Sequence, residues 1–311
     1  MFCGGAKNPA TSETPADMKL HGIFPATATP FDHNGDLYKV KVQHNIEKWN
    51  RTGLAGYLVT GSTGETPYLT AEEKIQLWEW VAQYAAPNKI LLAGSGAESV
   101  RESVRLTNRA AELGYKAGLV LAPHYYRAMM SRMETQILFF RAVADQAKIP
   151  ILLYHFPQVT GIDLTPDAVA TLSEHPNIIG MKDSSGNLEG TKKFLAAAKP
   201  GFQVLTGSSS VLADSLAAGC SGAILALANA IPYACISIYE AHRTREYDAA
   251  QDWQKRIACA SSLIAAKHGI PGLKYAMDLK GYYGGPTRLP LTVVTPDAKR
   301  EIEQAFEGIK S

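Results

Sequence analysis

The sequence predicts an α/β protein, a (β/α)8 TIM barrel with a C-terminal helical appendage, and three observations indicate it. Eight short runs rich in Ile, Leu and Val recur along the chain, too continuously apolar to be strands with one face in water. Helical patterns with recognisable start signals lie between most of these runs. No G-x-G-x-x-G follows the first run, which disfavours the rival fold, a doubly wound dinucleotide-binding sheet.

The predicted strands and helices alternate along the chain. Capping boxes, in which a Ser or Thr and a Glu three residues later satisfy each other's backbone N–H groups, predict helix starts at Thr70 and Ser131. Thr165 followed by Pro166 predicts a third start, and Gly219 predicts a helix end. This alternation is typical of parallel strands joined by helices. The predicted strands are residues 22–29, 55–61, 89–96, 117–123, 150–156, 178–183, 202–207 and 222–229.

Three regions are predicted along the chain. Residues 1–18 have neither an apolar segment nor an Arg-rich face, so we expect a flexible extension that is neither a signal nor a transit peptide. Residues 19–240 are predicted to form the barrel, and residues 241–311 a C-terminal helical region. The most apolar stretch, residues 222–239, is interrupted by Pro232 and is predicted to be a strand followed by a helix, not a membrane span.

Composition restricts the functions that this chain of 311 residues can have. The hydrophobic fraction of 46% with 19% charged residues is typical of a globular protein with a large core. A net charge of +2 provides no basic surface for nucleic acid or an acidic membrane. Four cysteines without a C-x-x-C pair indicate free thiols in a reducing compartment, so we expect a cytoplasmic protein. None of His124, His155 and His175 stands in an H-x-H or H-E-x-x-H pattern, which predicts no metal site.

Candidate catalytic residues stand at the carboxyl ends of the predicted strands, where barrels of this kind carry their active sites. Lys182 follows three apolar residues and shares a strand face with Gly180, which leaves room for its amine. A lysine attacks a ketone only as the free amine, and burial favours that form, so Lys182 suits imine chemistry. Tyr154 ends the fifth strand and suits a proton relay. On the residues alone, a lysine that extends to solvent and a tyrosine of the barrel core remain alternatives.

The loop after the second strand is a candidate substrate-binding element. Residues 61–65 (Gly-Ser-Thr-Gly-Glu) offer two hydroxyls and several backbone N–H groups that suit a small carboxylate, although an ordinary glycine-rich turn is the alternative. We expect Glu65 to brace the loop. The ends of strands seven and eight face the same opening. The residues predicted to bind substrate are Gly61, Thr63, Gly207 and Ile224.

Three segments together resemble the dihydrodipicolinate synthase and N-acetylneuraminate lyase family of pyruvate-dependent class I aldolases. They are residues 55–65, 154–161 and 180–184, and the likeness extends from about residue 20 to the C-terminal end. The resemblance implies a (β/α)8 barrel with C-terminal helices, assembled as a homotetramer that is a dimer of dimers. It also implies a carbon–carbon lyase that joins or separates pyruvate and an aldehyde.

The resemblance implies roles for individual residues as well. Lys182 matches the Schiff-base lysine and Tyr154 the proton-relay tyrosine. Ser62 and Thr63 match a hydroxyl pair that helps to hold the pyruvate carboxylate, and one of the two joins the relay. Tyr125 matches the tyrosine that reaches a neighbouring subunit's site and completes the relay. No cofactor is implied beyond the covalent imine on Lys182.

One position departs from the pattern of the synthases in this family. Val159 stands where they carry an arginine that binds the carboxylate of the second substrate. Valine cannot make such a bidentate contact, which disfavours aspartate semialdehyde. Residues 122–127, 269–274 and 281–286 are most similar to 4-hydroxy-2-oxoglutarate aldolases. We therefore expect a 4-hydroxy-2-oxoglutarate-like substrate, with 4-hydroxy-tetrahydrodipicolinate synthase as the alternative activity.

Two functions of other classes remain open on the sequence. A barrel enzyme that acts on phosphorylated ligands would use the turn Gly207-Ser208-Ser209 as a phosphate cup and would form no imine. A non-catalytic ligand sensor would keep the pocket without the chemistry. Trapping of a lysine imine with pyruvate distinguishes both from an aldolase.

Overall fold

Eight parallel strands form a nearly closed barrel in the computed structural model, which describes residues 18–310. The strands are β1 Gly22–Pro25, β2 Gly56–Val59, β3 Ile90–Gly94, β4 Ala117–Leu121, β5 Ile151–His155, β6 Ile178–Asp183, β7 Gln203–Thr206 and β8 Gly222–Leu225. Strands that are consecutive from β2 to β8 pair with each other, and β1 pairs with β8. A parallel bridge between Ala26 and Leu58 brings β1 and β2 together. The predicted (β/α)8 barrel is confirmed.

One helix covers the outside of the barrel after each strand, and three more helices follow at the C-terminal end. The helices are α1 Lys39–Asn50, α2 Ala71–Tyr84, α3 Val100–Glu112, α4 Arg127–Met130, α5 Met133–Ala144, α6 Pro157–Thr160, α7 Pro166–Ser173, α8 Leu188–Ala197, α9 Leu212–Ala218, α10 Pro232–Arg243, α11 Tyr247–Ser262, α12 Gly269–Leu279 and α13 Pro296–Phe306. The short helices α4 and α6 lie in loops after β4 and β5. The C-terminal appendage consists of α11, α12 and α13.

Two of the three predicted helix starts are as expected. The Thr70 hydroxyl accepts a hydrogen bond from the Glu73 N–H at 3.2 Å, and the Glu73 carboxylate accepts one from the Thr70 N–H at 2.9 Å. The Thr165 hydroxyl caps α7. The capping box predicted at Ser131 is wrong. Its hydroxyl donates instead to the Arg127 carbonyl at 2.9 Å, because the preceding short helix α4 supplies a nearer acceptor, and α5 begins without a side-chain cap.

Most strands are shorter than the apolar runs that predicted them. The run at 55–61 yields a strand that ends at Val59, and the run at 222–229 yields one that ends at Leu225. Most residues of these runs that follow the strand ends are buried. Asn229, for example, is buried and donates to the Ala26 carbonyl at 2.7 Å. The segments that follow the strand ends are therefore mostly apolar in sequence although they are not part of the sheet.

The barrel interior is filled by side chains and is not a channel. Leu20 lies at its amino-terminal end, where its N–H donates to the Gln203 side chain at 2.7 Å. The interior is packed, and barrels of this kind carry their active sites at the carboxyl ends of the strands. The buried interior residues are Leu20, Phe24, Ala26, Leu58, Leu92, Ala117, Leu119, Leu152, Tyr154, Ile179, Leu205 and Ile224.

The most apolar stretch of the chain forms β8, a short turn and α10, as predicted. Within residues 18–310, no helix has the length and apolar character needed to cross a membrane. The division into a barrel at 19–240 and a helical region at 241–311 stays a prediction. Apart from Met18, the predicted N-terminal extension lies outside the described residues.

Candidate active site

Lys182 and Tyr154 meet at the carboxyl end of the barrel. They stand opposite each other on the neighbouring strands β6 and β5, so their side chains point to the same face. The Lys182 Nζ donates to the Tyr154 phenol oxygen at 3.2 Å and lies 4.3 Å from the centre of the Tyr154 ring. Both residues are buried, with 4% and 5% of their surface exposed. The alternative in which Lys182 extends to solvent is therefore excluded.

Ser62 extends this contact into a chain of three polar groups. Its hydroxyl lies 3.4 Å from the Tyr154 hydroxyl, which in turn contacts the Lys182 amine. Ser62 begins a single 3-10 turn, Ser62–Gly64, directly after Gly61, and Thr63 is half-buried in the same turn. The arrangement can move a proton between serine, phenol and amine, which is what formation of an imine requires.

Space beside Lys182 comes from Gly207, and not from Gly180 as the sequence suggested. A Cβ on Gly207 would lie 2.8 Å from the Lys182 Cε and would also overlap the Ser184 hydroxyl. A Cβ on Gly180 would instead overlap the backbone carbonyl of Gln203 on β7. Gly180 thus permits close strand pairing, while Gly207 leaves the lysine side chain free.

The loop that carries Ser62 is braced by an ion pair that the sequence did not reveal. Glu65 is buried in the left-handed conformation, with φ 59°. Its carboxylate lies 2.6 Å from the Nζ of Lys274, a buried residue of α12, and accepts the Arg288 N–H at 2.9 Å. Burial lowers the pKa of Lys274, and the charge and hydrogen bond of Glu65 oppose that shift. The C-terminal appendage therefore holds the candidate active-site loop in place.

Two other predicted site residues make no hydrogen bond to this group in residues 18–310. Ile224 on β8 is fully buried in the barrel interior. Tyr125 follows β4 and is 80% exposed, with its ring packed edge to face against Tyr126 at 5.1 Å. Within one chain, Tyr125 contacts neither Tyr154 nor Ser62 through a hydrogen bond in the described region.

The turn after β7 does not suit phosphate. The Gly207 N–H donates to the Asp183 carbonyl at 2.6 Å, and the Ser209 and Ser261 hydroxyls are 2.6 Å apart. The Ser208 hydroxyl is engaged in the same way, 2.8 Å from that of Ser210. These groups are bonded internally, which disfavours a phosphate cup. No cluster of three metal-ligating side chains occurs among residues 18–310.

Comparison with known proteins gives the family of this chain. The model of the dihydrodipicolinate synthetase family matches residues 19–309. The chain belongs to this family. It is accordingly a carbon–carbon lyase of the pyruvate-dependent aldolase type that the sequence resemblance implied.

Relatives in this family carry two different names. A 4-hydroxy-tetrahydrodipicolinate synthase from Exiguobacterium is 32% identical over 287 residues, which are 92% of this chain and 97% of the relative. A probable mitochondrial 4-hydroxy-2-oxoglutarate aldolase from Emericella nidulans is 34% identical over 291 residues, 92% and 93% of the two chains. The two identities are nearly equal, so they do not select between the two activities.

Solved structures agree with the fold. A dihydrodipicolinate synthase from Bacillus anthracis superposes with a TM-score of 0.88 at 26% identity, over 94% of this chain and 99% of that one. One from Acinetobacter baumannii, complexed with pyruvate, has a TM-score of 0.88 at 27% identity, over 93% and 99%.

Proposed function

We propose that this lyase works through an imine on Lys182 and cleaves a 4-hydroxy-2-oxoglutarate-like substrate, without a cofactor. The observation that carries the proposal is the buried Lys182 amine in contact with the Tyr154 phenol, which is linked to Ser62. A buried amine with a proton relay beside it is what attack on a ketone needs. Trapping the imine with borohydride tests the proposal.

The chemistry balances with these groups alone. Lys182 Nζ attacks the C2 ketone, and Tyr154 delivers a proton to the oxygen, so that water leaves and a protonated imine forms. The imine accepts the electron pair of the C3–C4 bond, while the Tyr154 phenolate takes the proton of the C4 hydroxyl and C4 and C5 leave as glyoxylate. Protonation of the enamine at C3 and hydrolysis release pyruvate and restore the amine. Condensation uses the same steps in reverse.

The loop at residues 61–65 supplies the recognition of the carboxylate next to the ketone. Ser62 and Thr63 present hydroxyls in one tight turn beside Tyr154. Backbone N–H groups and hydroxyls suit a carboxylate, and Gly61 and Gly207 leave space for it. The substrate would therefore sit with C1 at this loop and C2 over Lys182.

A second carboxylate distinguishes the two candidate substrates. Val159 is 53% exposed on α6 and offers no charge. The guanidinium of Arg127 occupies the space next to Gly161, at the end of the same loop. We infer that Arg127 binds the C5 carboxylate of a 4-hydroxy-2-oxo diacid, which would explain a functional site without arginine at position 159. The synthase activity stays the alternative.

Exchange of the residue at position 159 tests this specificity. Val159→Arg should raise kcat/KM for condensation of aspartate semialdehyde with pyruvate by roughly tenfold to a hundredfold, since a hydrogen bond to a charged group contributes about 1.5–3 kcal/mol. Cleavage of 4-hydroxy-2-oxoglutarate should not improve. Arg127→Gln should impair that cleavage but spare a 4-hydroxy-2-oxo acid that lacks the second carboxylate. Efficient condensation of aspartate semialdehyde by the wild type would contradict the specificity argument.

We further infer the homotetramer, a dimer of dimers, that the resemblance implies. Tyr125 and Tyr126 are strongly exposed, and Met129 and Leu138 beside them are exposed as well. Tyr126, Met129 and Leu138 line a cleft of about 340 Å³. Exposed aromatic and methionine side chains in one patch are typical of protein interfaces and support a second copy here. Tyr125 would then reach the partner's site.

Subunit mixing tests whether Tyr125 acts across the interface. Lys182→Ala and Tyr125→Phe should each be nearly inactive alone. Co-expressed, they form mixed dimers in which one site has both an intact lysine and an intact tyrosine, so about a quarter of wild-type activity should return. Absence of recovery, or full activity of Tyr125→Phe, would exclude the role.

A cytoplasmic location stays a prediction.

A further inference from the structure

A charged cluster lies directly behind the candidate catalytic pair. His155 follows Tyr154 on β5, Asp183 follows Lys182 on β6, and His155 and Asp183 stand opposite each other. Because successive strand side chains alternate in direction, His155 and Asp183 face the helix layer while Tyr154 and Lys182 face the mouth. Both His155 and Asp183 are buried, with 3% and 1% exposed.

Both ring nitrogens of His155 contact carboxylates. The Nδ1 lies 2.9 Å from Oδ1 of Asp183, and the Nε2 lies 2.6 Å from Oδ1 of Asp163. A neutral imidazole has one N–H and one lone pair, so it can donate to only one of the two. At the other nitrogen, a lone pair would face a carboxylate oxygen. Only the imidazolium satisfies both contacts.

Hydrogen bonds donated by other residues stabilise the ionised carboxylate of Asp183. The Thr191 hydroxyl donates to its Oδ2 at 2.6 Å, and the Ser185 N–H donates to its Oδ1 at 3.0 Å. Burial alone would raise the pKa of Asp183, but these donors and His155 outweigh it and lower the pKa. Asp183 is therefore ionised at neutral pH and can hold a cation.

The pKa of His155 is likewise set by burial acting against its charged partners. Burial alone would lower its pKa, but the hydrogen bonds and charges of Asp183 and Asp163 outweigh burial and raise it. Two further titratable groups face the cluster. Burial and the charge of Asp183 raise the pKa of the Cys220 thiol to about 12, so this thiol is neutral. Lys193 of α8 and His155 line the same surface cavity. Lys182 and Tyr154 lie on the opposite side of the strands.

Backbone hydrogen bonds join the strand ends that carry both the charged cluster and the pair Lys182 and Tyr154. The Ser184 N–H donates to the His155 carbonyl at 2.9 Å, and the Gly207 N–H donates to the Asp183 carbonyl at 2.6 Å. These bonds join the ends of β5, β6 and β7 at the level of Lys182. Asp163 lies in the segment after α6, so its contact with His155 also ties the loop that carries Val159 to the barrel.

We propose that His155 is a positioning residue, an imidazolium that joins β5 to β6 and to the loop at Asp163 and thereby sets the contact between Tyr154 and Lys182. The proposal rests on the imine function proposed above. The sign of its pH dependence follows from the raised pKa. We call the two contacts of the His155 ring, with Asp183 and Asp163, the His155 clamp. Both contacts are hydrogen bonds while the ring is protonated. As pH rises through the pKa of His155, the ring loses one proton and one of the two hydrogen bonds is lost.

The rate of imine formation with pyruvate, measured from neutral to alkaline pH, tests the clamp. The matched variant is Asp163→Asn, because the Asp163 side chain is 77% exposed and its replacement does not disturb the core. Without that carboxylate the ring loses its proton more easily, so the alkaline limb should move to lower pH by about one unit. His155→Asn, which keeps one donor, should lower kcat more than it raises KM and should abolish the His155-dependent limb.

The possible outcomes are distinct. Superimposable pH profiles of wild type and Asp163→Asn would overturn the clamp, as would ¹⁵N NMR signals showing a neutral His155 ring at neutral pH in the wild type. A shift confined to Asp163→Asn supports it even if His155→Asn fails to fold. Failure of the imine function would instead appear as no pyruvate adduct in the wild type, before any variant is compared.

Discussion

Lys182→Ala is expected to reduce turnover by roughly 10⁴-fold or more, because it removes the nucleophile on which every later step depends. The amine is buried and contacts the Tyr154 phenol, and the absence of a side chain at Gly207 leaves space beside it. The loss should appear in kcat for cleavage and condensation alike. Steady-state assays in both directions measure it.

A second variant separates lost chemistry from lost charge. Lys182→Arg should be equally inactive, since a guanidinium stays protonated at any working pH and cannot attack a ketone. Both proteins should keep cooperative thermal unfolding, which shows that the barrel is intact. Activity near the wild-type level in purified Lys182→Ala would disprove the imine mechanism.

Tyr154→Phe is expected to lower kcat by about 10²–10⁴-fold while KM changes little, because a positioned acid–base group contributes that much to rate. The phenylalanine ring keeps the stacking of Tyr154 on Phe156 at 5.8 Å, so only the hydroxyl is removed. Both the contact to Lys182 and the contact to Ser62 are lost at once.

Ser62→Ala is the graded control for that result. It interrupts the same relay one group further from the amine, so its loss of kcat should be smaller. Pre-steady-state measurement of imine formation would locate the slow step. A Tyr154→Phe enzyme that differs only in KM would show that Tyr154 positions substrate and transfers no proton.

The fold was predictable because its signals are local. Each strand is a short apolar run, each of the confirmed caps lies within a few residues of its helix, and eight alternations leave few architectures. The ends of the strands were not predictable in the same way. Residues such as Asn229 continue an apolar run yet leave the sheet, because they fill the barrel mouth through long-range hydrogen bonds.

The candidate site was predictable only in part. Lys182, Tyr154 and Ser62 were accessible because strand ends converge in a barrel, so neighbours in space follow from topology. The support of that site is different. Lys274 reaches Glu65 from the C-terminal appendage, and Asp163 reaches His155 from a loop. No local pattern joins such pairs, since their contact exists only after the helices and loops have packed.

Two predictions failed for related reasons. Gly180 was interpreted as room for the lysine but is required by the backbone of β7, a contact that depends on strand order and register. The capping box at Ser131 matches a short pattern, but a preceding helical turn competes for the same hydroxyl. Local patterns of this length are outweighed by neighbouring structure.

Borohydride reduction in the presence of pyruvate, followed by peptide mass spectrometry, tests the central claim most directly. The wild type should gain one carboxyethyl group per chain, located on Lys182, and Lys182→Ala should gain none. Lys274, the other buried lysine in residues 18–310, is paired with Glu65; it is the internal control and should stay unmodified. An adduct on Lys274, or no adduct on Lys182 in a protein that turns over substrate, would contradict the imine mechanism.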